Sequence, residues 1–326
     1  MMPLRRLSRL IAARHDFACL ARDFVGGLHD EAHQSRPETL RLIRRLYVKS
    51  HGRSRKAWRA LYALVRPARG ADARVDAQLL ATLRNDGLVK VPGFLPPDRV
   101  EALRAYFEAM PATPILEDMS RGEPVLKADA ARALRLPYDT PTVMRAPGVL
   151  DLLADPMLQQ LAAAYLGCEP IFTGVDAWWS LADAEADDQA LSFAAQLFHF
   201  DHDWPVFLKF FFYLTEVGSN DGPFTYVLGT HKDKREWQDG RVSDAKIKAA
   251  YGDRVHAVLG APGDLIAADT VGYHKGERVR RGPRLMLQVE FGATRLGAGF
   301  QYERYPRELR PASAYRHTFD VFCEPS

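Results

Sequence analysis

Two short segments of the chain carry residues whose types and spacing fit a metal centre. The first segment holds His199 and Asp201, which one residue separates. If this segment is a β-strand, both side chains point to the same face, and the imidazole and the carboxylate can chelate one ion. His274, in the second segment, can supply a third ligand from a neighbouring part of the fold. Two histidines and one carboxylate leave coordination positions open, as in non-haem Fe(II) oxygenases.

Arg284 is a candidate binding group for an anion. It lies ten residues after His274, at the start of a predicted strand over residues 284–291. Strand alternation places Arg284 with Met286 and Gln288 on a mixed face, opposite an apolar face. If the mixed face lines a pocket, the guanidinium needs an anionic partner, and a dicarboxylate cosubstrate supplies one through a bidentate ion pair. The alternative is a surface arginine that is paired to a carboxylate on an adjacent strand.

The second half of the chain consists mostly of strand candidates, with turn residues between them. They predict an antiparallel sandwich or barrel. Helical periodicity appears before them, and the proline-rich stretch 111–147 is predicted to be mostly loop. The predicted helices of the main body cover residues 76–85, 98–110 and 149–166, and the predicted strands cover 88–91, 170–178, 194–202, 206–215, 224–228, 255–259, 264–268 and 284–291.

The composition is that of an ordinary globular protein, with 47% hydrophobic and 26% charged residues. No run of about 18 apolar residues occurs, so a transmembrane helix is not expected. The three cysteines lie far apart and include no CxxC pair. This pattern argues against a disulfide framework or a cysteine-rich zinc site, and it favours the reducing cytoplasm.

Charge is unevenly distributed along the chain. Residues 1–75 contain 17 basic and 6 acidic residues, whereas residues 76–326 contain 27 and 35. Apolar residues recur at helical spacing among the basic ones, so we predict a basic helical extension over 1–75 and a main domain over 76–326. The extension is expected to pack on the acidic body. The alternative is contact with an anionic membrane surface or with nucleic acid, although no nucleic-acid motif is present.

Several motifs occur together in a specific order and spacing. They are residues 85–95, His199-Phe200-Asp201, residues 208–215, residues 220–224, residues 229–232, Gly263-Asp264-Leu265, Asp269-Thr270 through His274, and then Arg284. In this order they resemble the phytanoyl-CoA dioxygenase-like family of Fe(II)/2-oxoglutarate oxygenases. The resemblance covers roughly residues 78–295, and the basic extension lies outside it.

The resemblance implies a mainly β fold with a double-stranded β-helix, or jelly-roll, core and flanking helices. It implies that His199, Asp201 and His274 are the catalytic ligands of Fe(II), and that Arg284 binds the distal carboxylate of the cosubstrate 2-oxoglutarate. O2 is the other implied cosubstrate. Some relatives carry a hydroxyl two residues after the distal histidine to help hold 2-oxoglutarate, whereas this chain has Gly276 there.

The implied reaction is hydroxylation of a C–H bond of a small-molecule substrate, with release of succinate and CO2. Halogenating relatives replace the carboxylate ligand by a small residue, whereas Asp201 is present here. Desaturation or ring chemistry on the same centre stays open. Two other hypotheses are a jelly-roll hydrolase or isomerase with another divalent metal, and a non-catalytic binding module whose basic helices dock an anionic membrane or nucleic acid.

Overall fold

Two antiparallel β-sheets form the centre of the computed structural model. The strands in chain order are β1 Leu88–Val91, β2 Arg135–Pro137, β3 Ile171–Ser180, β4 Phe207–Tyr213, β5 Phe224–Val227, β6 Val255–Val258, β7 Leu265–Ala268, β8 His274–Gly276 and β9 Arg284–Gly292. The larger sheet has the order β1-β7-β4-β9-β3-β2 and the smaller one β6-β5-β8. Strands that are distant in sequence pair with one another, which confirms the predicted jelly-roll core.

The structure describes residues 18–23, 37–68, 71, 75–115, 120–130, 133, 135–182, 196–203, 205–234, 240–294, 307–316, 318–319 and 322. The flanking helices are α1 Pro37–Lys49, α2 Ser54–Val65, α3 Ala77–Asp86, α4 Pro97–Ala109, α5 Thr140–Met144, α6 Val149–Leu153, α7 Pro156–Leu166 and α8 Asp244–Tyr251. None of the helices in these ranges is both long and apolar enough to cross a membrane.

The two faces of the larger sheet have different surroundings. On one face, side chains such as Phe210, Phe212 and Leu287 belong to the main hydrophobic core with the flanking helices. On the opposite face, Phe211 and Met286 pack toward the smaller sheet. Alternation along β4 and β9 therefore sends every second residue into the space between the sheets. Arg284 lies on this inner face with Met286, as the predicted alternation requires, and its 4% exposure does not fit the alternative of a surface arginine.

Three local expectations differ from the structure. Residues 149–166 form two helices, because Asp155 accepts hydrogen bonds from the amides of Met157 and Leu158 and so starts a new helix at Pro156. The stretch 111–147 contains β2 and α5 as well as loop. The described part of the predicted strand 194–202, residues 196–202, makes only isolated bridges.

The N-terminal helices pack directly on the jelly roll. Tyr62 of α2 is buried and donates a hydrogen bond to Thr294 at 2.7 Å. Tyr47 of α1 accepts one from the buried Lys234 at 3.1 Å between Oη and Nζ. These contacts match the expectation that the basic helices rest on the acidic body. The proposed division of the chain at residue 75 stays a prediction.

Candidate metal centre

His199 and His274 lie directly opposite each other across an isolated antiparallel bridge. The amide of His199 donates to the carbonyl of His274 at 3.0 Å, and the amide of His274 donates to the carbonyl of His199 at 2.8 Å. The amide of Asp201 donates to the carbonyl of Thr270 at 2.9 Å. Backbone hydrogen bonds therefore hold both segments together, although residues 196–202 do not form the predicted strand.

The side chains of His199, Asp201 and His274 converge on one point. One potential ligand atom from each residue lies within 4.8 Å of the other two. Nε2 of His199 is 3.7 Å from Oδ1 of Asp201, and Nε2 of His274 is 3.5 Å from Oδ2 of the same carboxylate. Their side chains are between 7% and 17% exposed, so the cluster is enclosed but reachable from solvent.

Hydrogen bonds at the far side of each ring prepare both histidines to bind a metal. Nδ1 of His199 lies 2.9 Å from the carbonyl oxygen of Leu197, and Nδ1 of His274 lies 3.0 Å from that of Gly272. A carbonyl accepts a hydrogen bond, so the proton belongs on Nδ1 and the lone pair of Nε2 faces the cluster. Three ligand atoms on one side of a shared point are the donor set of a divalent iron site.

Burial keeps the two imidazoles neutral, which is the form that binds a metal. Desolvation and the neighbouring His274 ring lower the pKa of His199 to about 3, against the opposing effect of Asp201. Desolvation likewise lowers the pKa of His274. At neutral pH neither ring needs to lose a proton before it coordinates an ion.

Lys209 provides a cation next to the cluster. Its Nζ lies 2.8 Å from Oδ2 of Asp201, 2.6 Å from Oδ2 of Asp203 and 3.4 Å from Oε2 of Glu290. Burial disfavours the charged amine, but Asp201 and Asp203 outweigh burial and raise the pKa of Lys209 well above its usual value. Because Lys209 holds Oδ2 of Asp201, the other carboxylate oxygen is left for an ion.

Arg284 lies on the inner face with part of its hydrogen-bonding capacity unused. The residue is 4% exposed, and its Nη2 donates to Oγ of Ser180 at 3.0 Å. Among the described residues, Nε and Nη1 have no hydrogen-bond partner. Burial lowers the pKa of Arg284 to about 10, so the group is still charged at neutral pH. A buried guanidinium with free N–H groups is suited to an anionic ligand.

Gly276 leaves the space that the Arg284 side chain occupies. A Cβ at Gly276 would lie 2.9 Å from Nη2 of Arg284, closer than such contacts normally allow. A side chain at this position would therefore displace the guanidinium. The hydroxyl of Ser180 on β3 accepts a hydrogen bond from Nη2 of Arg284 at 3.0 Å.

The sequence of this chain matches one family over most of its length. The family model described as Phytanoyl-CoA dioxygenase (PhyH) matches residues 83–282, more than half of the chain. The chain belongs to the phytanoyl-CoA dioxygenase family. This confirms the resemblance found in the sequence and makes the protein an iron- and 2-oxoglutarate-dependent enzyme of the oxygenase type. No curated protein sequence matches the chain.

Several solved structures are similar to this chain at low sequence identity. The carbocyclase SnoK from nogalamycin biosynthesis is 19% identical, with 68% of this chain and 85% of that chain covered and a TM-score of 0.45. HygX from Streptomyces hygroscopicus, solved with nickel, 2-oxoglutarate and hygromycin B, is 16% identical. The match covers 76% of this chain and 98% of that chain, with a TM-score of 0.47. EctD from S. alaskensis, solved with 2-oxoglutarate and 5-hydroxyectoine, is 16% identical. The match covers 67% of this chain and 76% of that chain, with a TM-score of 0.45.

Two features of this phytanoyl-CoA dioxygenase family member were missed in the sequence. Arg135 belongs to β2, which pairs with β3 at the edge of the larger sheet. Three residues of strand inside a proline-rich stretch give too weak a periodic signal to detect. The role of Lys209 was equally open, because a lysine inside an apolar strand is compatible with the sheet edge as well as with contact to the cosubstrate or substrate, and its ion pairs with Asp201, Asp203 and Glu290 were not predicted.

Proposed function

We propose that the protein is an Fe(II)/2-oxoglutarate-dependent dioxygenase that hydroxylates a C–H bond of a small-molecule substrate and releases succinate and CO2. The observation that carries this proposal is the convergence of His199, Asp201 and His274 within 4.8 Å on the inner face that also holds Arg284. Family membership supplies the reaction class, and the local geometry supplies the residues.

In this proposal His199, Asp201 and His274 hold Fe(II). The donor set fits the ion because two neutral imidazoles present Nε2 and one carboxylate presents an oxygen from the same side. The bound iron, with 2-oxoglutarate and O2, supplies the oxidising chemistry. The main-chain bonds between His199 and His274 fix the spacing of the two rings before the metal arrives.

Arg284 and Ser180 bind the distal carboxylate of 2-oxoglutarate in the same proposal. Nε and Nη1 of Arg284, which have no hydrogen-bond partner in the described part of the chain, offer the N–H groups that a bidentate pair with a carboxylate requires. Ser180 fixes the guanidinium through Nη2, and Gly276 leaves it the necessary space. Positioning of the cosubstrate therefore depends on three strands, β3, β8 and β9.

Lys209 has a positioning role toward the iron site. It holds one oxygen of Asp201 by a charge-assisted hydrogen bond and balances the charges of Asp203 and Glu290 nearby. The ring of Phe224 stacks on His274 with 5.6 Å between centroids and shields it from water on that side. Fixed ligands and limited water access favour reaction at the bound substrate over side reactions.

Oxygen incorporation tests the proposed reaction. The Fe(II)-loaded protein is incubated under ¹⁸O2 with 2-oxoglutarate and a panel of small molecules, and both succinate and substrate masses are followed. We expect succinate formation that depends on Fe(II), and one product that carries one ¹⁸O atom. His274→Ala should abolish both, whereas His256→Ala, a histidine exposed on β6, should have no effect.

Other outcomes of this experiment select the competing hypotheses. Substrate conversion without O2 would indicate a hydrolase or isomerase. Succinate with loss of two hydrogens from the substrate would indicate desaturation. A folded, iron-loaded protein that forms no succinate with any substrate, but binds anionic vesicles or nucleic acid in a salt-dependent way, would support the binding module.

A further inference from the structure

Helices α1 and α2 carry more positive charge than their contacts with the jelly roll use. Residues 37–68 contain nine basic residues and a single acidic one, Glu38. Arg55, Arg59 and Arg66 contact a carboxylate, an aromatic ring and a main-chain carbonyl of the body. The other six basic residues are exposed to solvent: Arg41, Arg44, Arg45, Lys49, Arg53 and Lys56. They form what we call the outer side of the two helices.

One face of α2 combines cations with an exposed leucine. Arg53, Lys56, Ala60 and Leu64 are exposed and follow one another at intervals of three or four residues. This spacing places them on one face of a helix, along a stripe of about 16 Å at a rise of about 1.5 Å per residue. Tyr62 lies on the other face and is buried against the body. The stripe therefore points away from the jelly roll, with its cations at one end and Leu64 at the other.

Leu64 is the most exposed large apolar side chain in the described part of the chain. It is 81% exposed, and the adjacent Val65 is 40% exposed. Transfer of such side chains from water to an apolar phase is favourable in proportion to the area that is buried. A single leucine on a surface has no special meaning, but this pair adjoins a cationic stripe. The same surface therefore offers both apolar and electrostatic contact.

The cations of the outer side are not neutralised within the protein. Lys49, Arg53 and Lys56 form no ion pair with any of the residues that the structure describes. Arg41 pairs with Glu38 at 2.9 Å, but its side chain is still 60% exposed. Like charges that lie close together repel one another, and an external anionic surface relieves this repulsion.

The combination of charges and apolar side chains favours a lipid surface over a nucleic acid. The phosphates of a nucleic acid would neutralise the cations but leave Leu64 and Val65 in water. A bilayer with anionic headgroups offers partners to both, because the headgroups attract the cations and the interfacial region accepts apolar side chains.

We propose that the outer side of α1 and α2 binds the surface of an anionic lipid bilayer, with the cations at the headgroups and Leu64 in the interfacial region. The inner side of the helices is fixed to the body by Tyr62 and Arg55, so this contact holds the whole enzyme at the membrane surface. The inference is independent of the proposed reaction, because it uses no residue of the metal centre or of the cosubstrate site.

Co-sedimentation of the full chain with lipid vesicles tests this inference. The vesicles contain phosphatidylcholine mixed with phosphatidylglycerol, and vesicles of pure phosphatidylcholine serve as the comparison. We expect binding to the anionic vesicles alone, and a loss of binding as NaCl is raised, since salt screens the attraction. A folded protein that binds neither kind of vesicle, or both kinds equally, would overturn the inference.

Two matched double variants locate the binding surface. Arg53→Gln with Lys56→Gln should weaken binding to the anionic vesicles by about 25-fold, since each cation near such a surface contributes roughly fivefold. Arg280→Gln with Arg281→Gln removes two exposed arginines at the other end of β9 from Thr294, the contact of Tyr62, and should leave binding nearly unchanged. Equal losses in the two double variants would show a general effect of net charge and overturn the inference.

Leu64→Gln separates a bilayer from other anionic partners. This change removes the apolar group but keeps the charge and a good helix former, so the fold should be retained, and thermal melting checks this. We expect binding to the anionic vesicles to weaken by about tenfold. Duplex DNA is the competing polyanion. If the protein binds DNA more tightly than the vesicles, or Leu64→Gln binds the vesicles like the wild type, the surface is not a bilayer contact.

Discussion

Nη2 of Arg55 lies 2.8 Å from Oδ2 of Asp269, which joins helix α2 to the segment that ends at His274. Asp269 is fully buried, and it also accepts hydrogen bonds from the hydroxyl of Tyr165 and from the amide of Val271. Arg55 lies outside residues 83–282, the part that matches the family. A residue of the predicted extension thus stabilises the segment that carries a proposed iron ligand.

Removal of Arg55 should destabilise the protein. Arg55→Ala leaves the carboxylate of Asp269 buried without its cation, and loss of one partner of a buried ion pair costs about 3 kcal/mol of unfolding free energy. Arg53→Ala, which removes an exposed arginine two residues earlier, is the matched control and should change stability little. Urea denaturation measures both, and equal stability of the two variants would contradict the role given to Arg55.

Stability should depend on pH through Asp269. The Arg55 cation lowers the pKa of this carboxyl below its usual value, although burial acts in the opposite direction. A depressed pKa in the folded state contributes stability above the unfolded pKa of about 3.9, and this stability is lost as pH falls toward the folded pKa. The difference in unfolding free energy between wild type and Asp269→Asn should therefore shrink below about pH 4. If this difference in unfolding free energy grows as the pH falls, the pKa of Asp269 is not lowered in the folded state.

Lys209 should matter for metal affinity. Lys209→Met removes the cation that holds Asp201 and leaves Asp203 and Glu290 without it, so the carboxylate ligand loses its fixed orientation. Loss of such a partner lowers metal affinity by about 10- to 100-fold. Competition with a chelator measures the Fe(II) dissociation constant under anaerobic conditions.

Lys275→Met is the matched control for Lys209→Met. Lys275 follows His274 directly in β8 and is equally buried, but it pairs with Asp244 and Glu277 instead of the cluster. Its replacement should leave Fe(II) affinity nearly unchanged. If Lys209→Met and Lys275→Met bind Fe(II) with the same affinity, the positioning role of Lys209 is refuted.

A side chain at position 276 should weaken cosubstrate binding. The Cβ of Gly276→Ala must displace Nη2 of Arg284, which is the end of a flexible side chain, so the fold should tolerate the change. We expect roughly a tenfold rise in the dissociation constant of 2-oxoglutarate, since part of one charge-assisted pair is lost. Gly174→Ala, where a Cβ would meet no atom within 4 Å, is the control. Unaltered affinity in Gly276→Ala would show that Arg284 does not need the space at Gly276 to bind the cosubstrate.

Local sequence patterns were sufficient to predict the central elements of the fold. Alternation and turn residues predicted β3 to β7 and β9 to within a few residues. The same alternation placed Arg284 on one face with Met286 and Gln288, and only the structure shows that this face is the inner one. The residue types at positions 199, 201 and 274 indicated the cluster before any contact was known. The three side chains converge although residues 196–202 do not form the predicted strand, because isolated backbone bridges hold the two segments together.

Contacts between distant segments could not be predicted from these patterns. Arg55 and Asp269 are 214 residues apart, and nothing in either segment specifies the other as its partner. The register of the short strand β2, which brings Arg135 next to Trp178, likewise depends on tertiary pairing. Such contacts follow from the assembled sheets, so only the structure reveals them.

The anaerobic visible spectrum of the protein, with Fe(II) added first and 2-oxoglutarate second, tests the central claim most directly. The proposed ligands predict a charge-transfer band that requires both additions. The band should be lost in His199→Ala and Asp201→Ala and retained in His256→Ala. A folded, iron-loaded protein that shows no band with 2-oxoglutarate, or a band that survives both ligand variants, would contradict the assignment of this cluster as the iron centre.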